Sequence, residues 1–211
     1  ASHCKADPID CYGSEFDVWL STDGVLFVNH DAVFKGHNVE QSSSAELSAI
    51  ILDNGEHMPT LDEYLAKAKT LKTRIVLELK AHQTKEKEAE AVAKIVEMVE
   101  KYGLTDRTEY ISFSLFACKE FKRVAPQGTD IYYLNGELSP AELKTLGFAG
   151  FDYSMGPIKK HPEWIEEAHK LGLKVNVWTI DKEADMQWLI DQKVDFITTN
   201  EPVLLQQLLR K

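Results

Sequence analysis

Two short stretches carry charge where a strand would ordinarily be apolar. In Ser14-Glu15-Phe16-Asp17-Val18 two carboxylates alternate with apolar residues, and in Leu77-Glu78-Leu79-Lys80 a carboxylate and an ammonium do the same. Alternate side chains of a strand share a face, so Glu15 and Asp17 point one way while Phe16 and Val18 point the other. Two carboxylates held this close repel unless something neutralises them. A divalent cation does so, and so does a Lys or Arg; a solvated pair at a strand end is the plain structural reading. A charged Glu78 among aliphatic residues is costly to bury unpaired. It is either half of an ion pair with Lys80 or a third carboxylate for the same cation, with Lys80 beside it to hold an anion. Three oxygen ligands with no Cys or His cluster suit a hard cation, Mg²⁺ or Ca²⁺, better than zinc.

His30 follows the apolar run Val25-Leu26-Phe27-Val28 and precedes Asp31. A histidine beside a metal-bound anion can give or take a proton near neutral pH. The competing reading is a surface histidine at the end of a hairpin. Among the other histidines, His82 is of interest because it lies close to Lys80 on the charged strand, whereas His3, His37, His57, His161 and His169 read as ordinary surface or structural histidines. Trp178 and Asn176 share a face in Val-Asn-Val-Trp, and Phe113 in Ile-Ser-Phe-Ser could line the same pocket; filling a core is the alternative for each. Asn135, Glu137, Asp152 and Tyr153 also sit at strand ends, but nothing in their types or spacing singles them out.

Strands must bring these residues together. SEFDVWL and VLFVN read as strands joined by a turn at Asp23-Gly24. Later strands are RIVLELK, EYISFS, DIYYL, GFDYS, KVNVWTI and DFITTN. Helical periodicity separates them, most clearly over 84–102, where Val92, Ile95, Val96 and Val99 form an apolar stripe and Gly103 ends the helix. Capping boxes open at Ser43, Thr60 and Ser139, the last with Pro140 at the first helical position. Asp181 is expected to cap the helix KEADMQWLIDQ, and 201–211 to form a closing helix. Apart from VLFVN, each of seven strands is followed by a helix, which calls for a parallel sheet with helices outside. A (β/α)8 TIM barrel has eight such units. The first residues, ASHCKADPIDCYG, read as the tail of a helix. The expectation is therefore an α/β TIM barrel lacking its first βα unit here. It would form a single domain over 1–211 with a small insertion after the second barrel strand, at about 21–59. An open doubly wound sheet is disfavoured, because no glycine-rich phosphate loop follows any strand.

Bulk properties narrow the function. The formal net charge is −10, which argues against nucleic acid and anionic membranes as partners. A small anionic substrate remains compatible, since a bound cation reverses the field locally. No apolar run approaches the roughly 20 residues of a membrane span. Cys4, Cys11 and Cys118 form no CxxC pair and read as small apolar side chains.

Several of these stretches follow one another in an order that resembles the glycerophosphodiester phosphodiesterase family. They are E-F-D-V, the T-D-G turn, V-x-x-H-D, M-P-T-L-D-E, L-E-L-K, V-N-V-W-T and D-F-I-T-T-N-E-P. The resemblance spans nearly the whole chain; each motif is weak alone, and the ordered set is specific. It implies a TIM barrel with a divalent cation, Mg²⁺ or Ca²⁺, held by Glu15, Asp17 and Glu78. It implies a small-molecule glycerophosphodiester substrate with Lys80 at the phosphate and Trp178 against the glycerol, in a pocket that Phe113 could also line. It implies His30 as one of two acid/base histidines. One would activate the glycerol 2-hydroxyl, giving a cyclic phosphate, and the other would protonate the leaving alcohol; His30 is assigned the second role. The products would be glycerol 3-phosphate and an alcohol. The family's other histidine belongs to a His-Arg pair that has no counterpart here, since His3 is followed by Cys4 and lies too close to Glu15. The alternative is a catalytically impaired barrel serving as a ligand-binding or scaffold protein.

Overall fold

The computed structural model describes residues 11–210. The expectations for His3 and Cys4 lie outside these residues, as does the expected helix tail up to residue 10; of its last three residues none is helical, and Gly13 opens a strand. The first charged stretch forms β1 (Gly13–Leu20), which turns back into β2 (Leu26–Val28). Asp23 secures that turn: its carboxylate accepts from Ser21 Oγ at 2.7 Å, Ser44 N–H at 2.9 Å and Ser44 Oγ at 2.6 Å. A small hairpin, β3 (Val33–Phe34) and β4 (His37–Asn38), then leads to α1 (Ser44–Ser48) and α2 (Leu61–Ala68).

Strand and helix alternate from there: β5 (Arg74–Leu79), α3 (Lys85–Lys101), β6 (Thr108–Ser112), α4 (Leu115–Val124), β7 (Ile131–Tyr133), α5 (Pro140–Leu146) and β8 (Gly150–Ser154). Next come α6 (Met155–Lys160), α7 (Glu163–Lys170), β9 (Lys174–Trp178), α8 (Glu183–Asp191), β10 (Phe196–Ile197) and α9 (Pro202–Leu209). The predicted capping boxes at Ser43, Thr60 and Ser139 are all present. The stripe of α3 is buried as its spacing requires, and Gly103 follows with φ +68°.

The expected cap at Asp181 is not made. Lys182 occupies that position without a side-chain cap. The Asp181 carboxylate instead accepts from Asn200 N–H at 2.8 Å and Thr199 Oγ1 at 3.1 Å, tying the loop after β10 to the loop after β9. A capping aspartate and a loop-tying aspartate look alike in sequence, because both offer one oxygen to a nearby N–H. Helix α6 and the β3–β4 hairpin were not expected from periodicity, being too short to show any.

The strand order is β10-β9-β8-β7-β6-β5-β1-β2. Seven of these strands are parallel and β2 is antiparallel to β1. The sheet curls far enough for β1 and β10 to line one cavity of about 380 Å³. At its lower end the rings of Tyr12 and Phe196 stand 4.4 Å apart. Among the described residues no ladder joins β10 to β1, so the structure is a TIM-type half-barrel, open along that seam. Gly150 lets β8 and β9 approach closely, since a Cβ there would overlap the Lys174 carbonyl oxygen.

Residues facing the helices form one large core, including Val18, Leu20, Leu77, Leu79, Phe151, Val175 and Val177. A separate cluster of Trp19, Phe27, Val39, Leu47, Ile50 and Met58 packs the segment between β1 and α2. The interior side carries a smaller group, Ile111, Tyr132 and Leu134, with Phe113 and Trp178 against it.

Candidate metal centre and active site

Parallel pairing of β1 with β5 sets Asp17 opposite Glu78, with Glu15 two residues back on the same face. Phe16 and Val18 turn into the helix-side core, as alternation requires. Carboxylate oxygens of Glu15, Asp17 and Glu78 lie within 4.8 Å of one another. Glu78 pairs with Lys80 and also stands within the carboxylate cluster. Lys80 Nζ sits 2.6 Å from Asp17 Oδ1 and 2.9 Å from Glu78 Oε1. Three carboxylates thus face one ammonium.

That imbalance shows in protonation. Crowding by the surrounding protein, and then by Asp17 and Glu78, raises the Glu15 carboxyl to about 8 against the pull of Lys80. Glu15 nonetheless remains exposed, lining the cavity between β1 and β10. Burial raises the Glu78 carboxyl too, with Lys80 opposing and Asp17 reinforcing. For Lys80, burial works against the charge, yet Glu78 and Asp17 outweigh it and hold the ammonium above its usual range.

The residues fit a divalent cation because their oxygens converge and three carboxylates are set against a single ammonium. An all-carboxylate donor set suits a hard cation.

Asp152, at the corresponding face of β8, is a buried carboxylate that sequence reasoning passed over. Its Oδ1 has no hydrogen-bond partner among the described residues. Burial, reinforced by Glu78 and opposed by a hydrogen bond from Asn176, raises it to about 8. The signal was present in Gly150-Phe151-Asp152-Tyr153, where the alternation matches that of β1, but a lone aspartate lacks the doubled carboxylate of Glu15 and Asp17. Asn176 in turn bonds Thr198 Oγ1 at 3.0 Å. Trp178 donates from Nε1 to the Asp152 carbonyl at 2.8 Å and meets Phe113 edge-on, ring centroids 5.6 Å apart at 84°.

His30 lies just beyond β2. Asn29 N–H, one residue before it, donates to the Asp17 carbonyl at 3.1 Å. Its ring is exposed, with Nδ1 2.8 Å from Asp31 Oδ1. Among the described residues no hydrogen bond or ion pair joins its side chain to the three carboxylates. Tyr153 is fully buried, and Glu137 accepts from Tyr133 Oη at 2.5 Å, so both take structural contacts.

Comparison with known proteins identifies the family. The chain matches the Glycerophosphoryl diester phosphodiesterase family over residues 13–204. A glycerophosphodiester phosphodiesterase of Caldanaerobacter subterraneus subsp. tengcongensis is 26 % identical, with all of this chain aligned to 91 % of that protein. The crystal structure of a glycerophosphodiester phosphodiesterase from Parabacteroides distasonis superposes with a TM-score of 0.92 at 47 % identity, covering 94 % of this chain and 84 % of that one. An Oleispira antarctica phosphodiesterase, solved with its product sn-glycerol-3-phosphate, shares the fold at TM-score 0.81 and 23 % identity, over 96 % and 86 % of the two chains.

Proposed function

Because the chain belongs to the glycerophosphoryl diester phosphodiesterase family, we propose that the β1–β5 cluster is its active site, with each charged residue in a separate role. The enzyme hydrolyses glycerophosphodiesters to glycerol 3-phosphate and an alcohol. Glu15, Asp17 and Glu78 hold a divalent cation, Mg²⁺ or Ca²⁺. When bound there, such an ion polarises phosphoryl oxygens and offsets developing negative charge. Lys80, already fixed between two carboxylates, presents its ammonium to the phosphate. His30 donates a proton to the leaving alcohol. Asp31 at Nδ1 orients its ring and leaves Nε2 free for that transfer. Phe113 and Trp178 provide an aromatic wall for the glycerol moiety.

The observation that carries this reading is the convergence of three carboxylates and one lysine from two adjacent parallel strands. The test is hydrolysis of glycerophosphocholine and glycerophosphoethanolamine by the purified chain, before and after chelation and on adding back Mg²⁺ or Ca²⁺. The reading requires activity that chelation removes and one of the two ions restores. Hydrolysis that is indifferent to chelator would remove the cation from the scheme.

A further inference from the structure

A parallel ladder alternates its bonds: a residue gives its N–H to one strand neighbour and takes an N–H from the residue two further along. The pairing of β1 with β5 obeys this up to Lys80, whose N–H donates to the Val18 carbonyl at 3.1 Å. The next bond in sequence would run from Leu20 N–H to the Lys80 carbonyl. It is replaced by an imidazole. Leu20 N–H donates to His82 Nε2 at 2.9 Å, and His82 Nδ1 lies 2.7 Å from the Lys80 carbonyl.

The two contacts settle the tautomer. A carbonyl only accepts, so Nδ1 carries the proton, and a backbone N–H only donates, so Nε2 is the bare nitrogen. A neutral ring is therefore inserted where two strands would otherwise touch, spacing their ends at the point where the carboxylates and Lys80 gather. Burial and Lys87 favour this neutral form, while the Lys80 carbonyl, Glu40 and Glu88 oppose them; the balance lowers the pKa of His82.

The neighbouring backbone is held as well. Ser112 Oγ donates to the Leu79 carbonyl at 2.7 Å, and His82 N–H donates to Glu88 Oε1 at 3.1 Å. Glu88 in turn accepts from Ser114 Oγ at 2.7 Å. Gln83 N–H donates to Glu40 Oε1 at 2.9 Å. Glu88, Ser112 and Glu40 are all buried.

We infer that His82 is a positioning residue for the phosphodiesterase reaction: its neutral imidazole, bridging the ends of β1 and β5, sets the backbone of Lys80 so that its ammonium stands between Asp17 and Glu78. The inference rests on the site proposed above and acts through Lys80, without contact to substrate.

The experiment is a double-mutant cycle with a spectroscopic arm. His82→Ala is compared with His82→Asn, whose side-chain amide can still donate to the Lys80 carbonyl from the Nδ1 position; each is made alone and with Lys80→Met. His82→Ala is expected to lower kcat/KM by about tenfold alone and by less than about twofold in the Lys80→Met background, the mark of a residue acting through another. His82→Asn, which keeps the contact to Lys80 and loses the one to Leu20, should recover part of the loss and also serves if the alanine variant folds poorly. In ¹³Cε-lysine-labelled protein without metal or substrate, the Lys80 signal, identified by its disappearance in Lys80→Met, should shift in His82→Ala and return towards its original position in His82→Asn. Equal fold losses in both backgrounds, or an unmoved Lys80 signal, would overturn the inference. If no variant, nor the parent, hydrolyses any glycerophosphodiester, the site reading fails while the spectroscopic arm still decides whether His82 positions Lys80.

Discussion

On the helix side of the sheet, Val18, Leu77, Phe151, Val175 and Val177 have no exposed surface. On the inner side the same strands carry Asp17, Glu78, Asp152 and Asn176. The strands are common to both faces, so backbone hydrogen bonding does not distinguish them; side-chain alternation does. Each fully buried aliphatic side chain on the helix side contributes roughly 1.5–3 kcal/mol to folding. The inner carboxylates work the other way, since taking a charge out of water without full pairing is costly. The raised Glu15, Glu78 and Asp152 carboxyls record that cost. One face makes the fold, and the other draws on its stability to hold a charged site.

Substitutions matched across the sheet separate the two roles. The largest effect is expected from Glu78→Gln, which should cut metal-dependent hydrolysis by roughly a thousandfold or more, on the several kcal/mol a bound cation supplies. Its melting temperature should stay level or rise, because a buried charge has gone; a variant with parental kcat would remove Glu78 from the site. Its neighbour across the sheet should do the reverse. Leu77→Ala, at a fully buried position, should cost about 2–5 kcal/mol in denaturant unfolding. Its kcat per folded molecule should remain near the parental value, and a collapse in kcat with little loss of stability would contradict the division between faces.

Asp152→Asn sharpens the comparison through pH. The folded-state carboxyl is raised to about 8, so the folded protein holds a proton that the unfolded chain gives up near pH 4. Ionisation therefore weighs against the folded state progressively as pH rises from about 4 to 8. In metal-free protein the melting temperature of Asp152→Asn relative to the parent should climb across that window and level off above it. A difference that does not vary with pH would mean that Asp152 is already ionised at neutrality.

The smallest effect belongs to Asp23, in the turn between β1 and β2, and it has the opposite sign. Hydrogen bonds from the Ser44 and Ser21 hydroxyls and the Ser44 N–H hold its carboxyl down at about 2. Its contribution is present above about pH 4 and disappears as pH falls through about 2. Asp23→Asn should melt below the parent at pH 6 and together with it near pH 2; a gap that persists at pH 2 would separate the turn from this carboxylate.

Local patterns carried a large part of this in the linear sequence. Alternation in Glu15-Phe16-Asp17-Val18 and Glu78-Leu79-Lys80 named the charged cluster because strand geometry sends every second side chain to one face. Capping boxes at Ser43, Thr60 and Ser139 were legible because donor and acceptor lie three residues apart. Asp181 misled for the same reason: its oxygens could meet a nearby N–H, and folding supplied Asn200 and Thr199 from the next strand's loop. Asp152 and His82 were under-read because what makes them notable lies 60 or more residues away in sequence, at Glu78 and Leu20.

The order of the barrel strands and their longer helices, the shared face of Glu15 and Asp17, and the family they indicate were therefore determined by sequence alone, since each depends on spacing within a few residues. That Lys80 reaches both Asp17 and Glu78, and that an imidazole stands in for one rung between β1 and β5, was decided only in three dimensions. Both depend on the register of two strands separated by more than fifty residues, and hydrogen-bond ranges near 3 Å are met or missed by that register and not by composition.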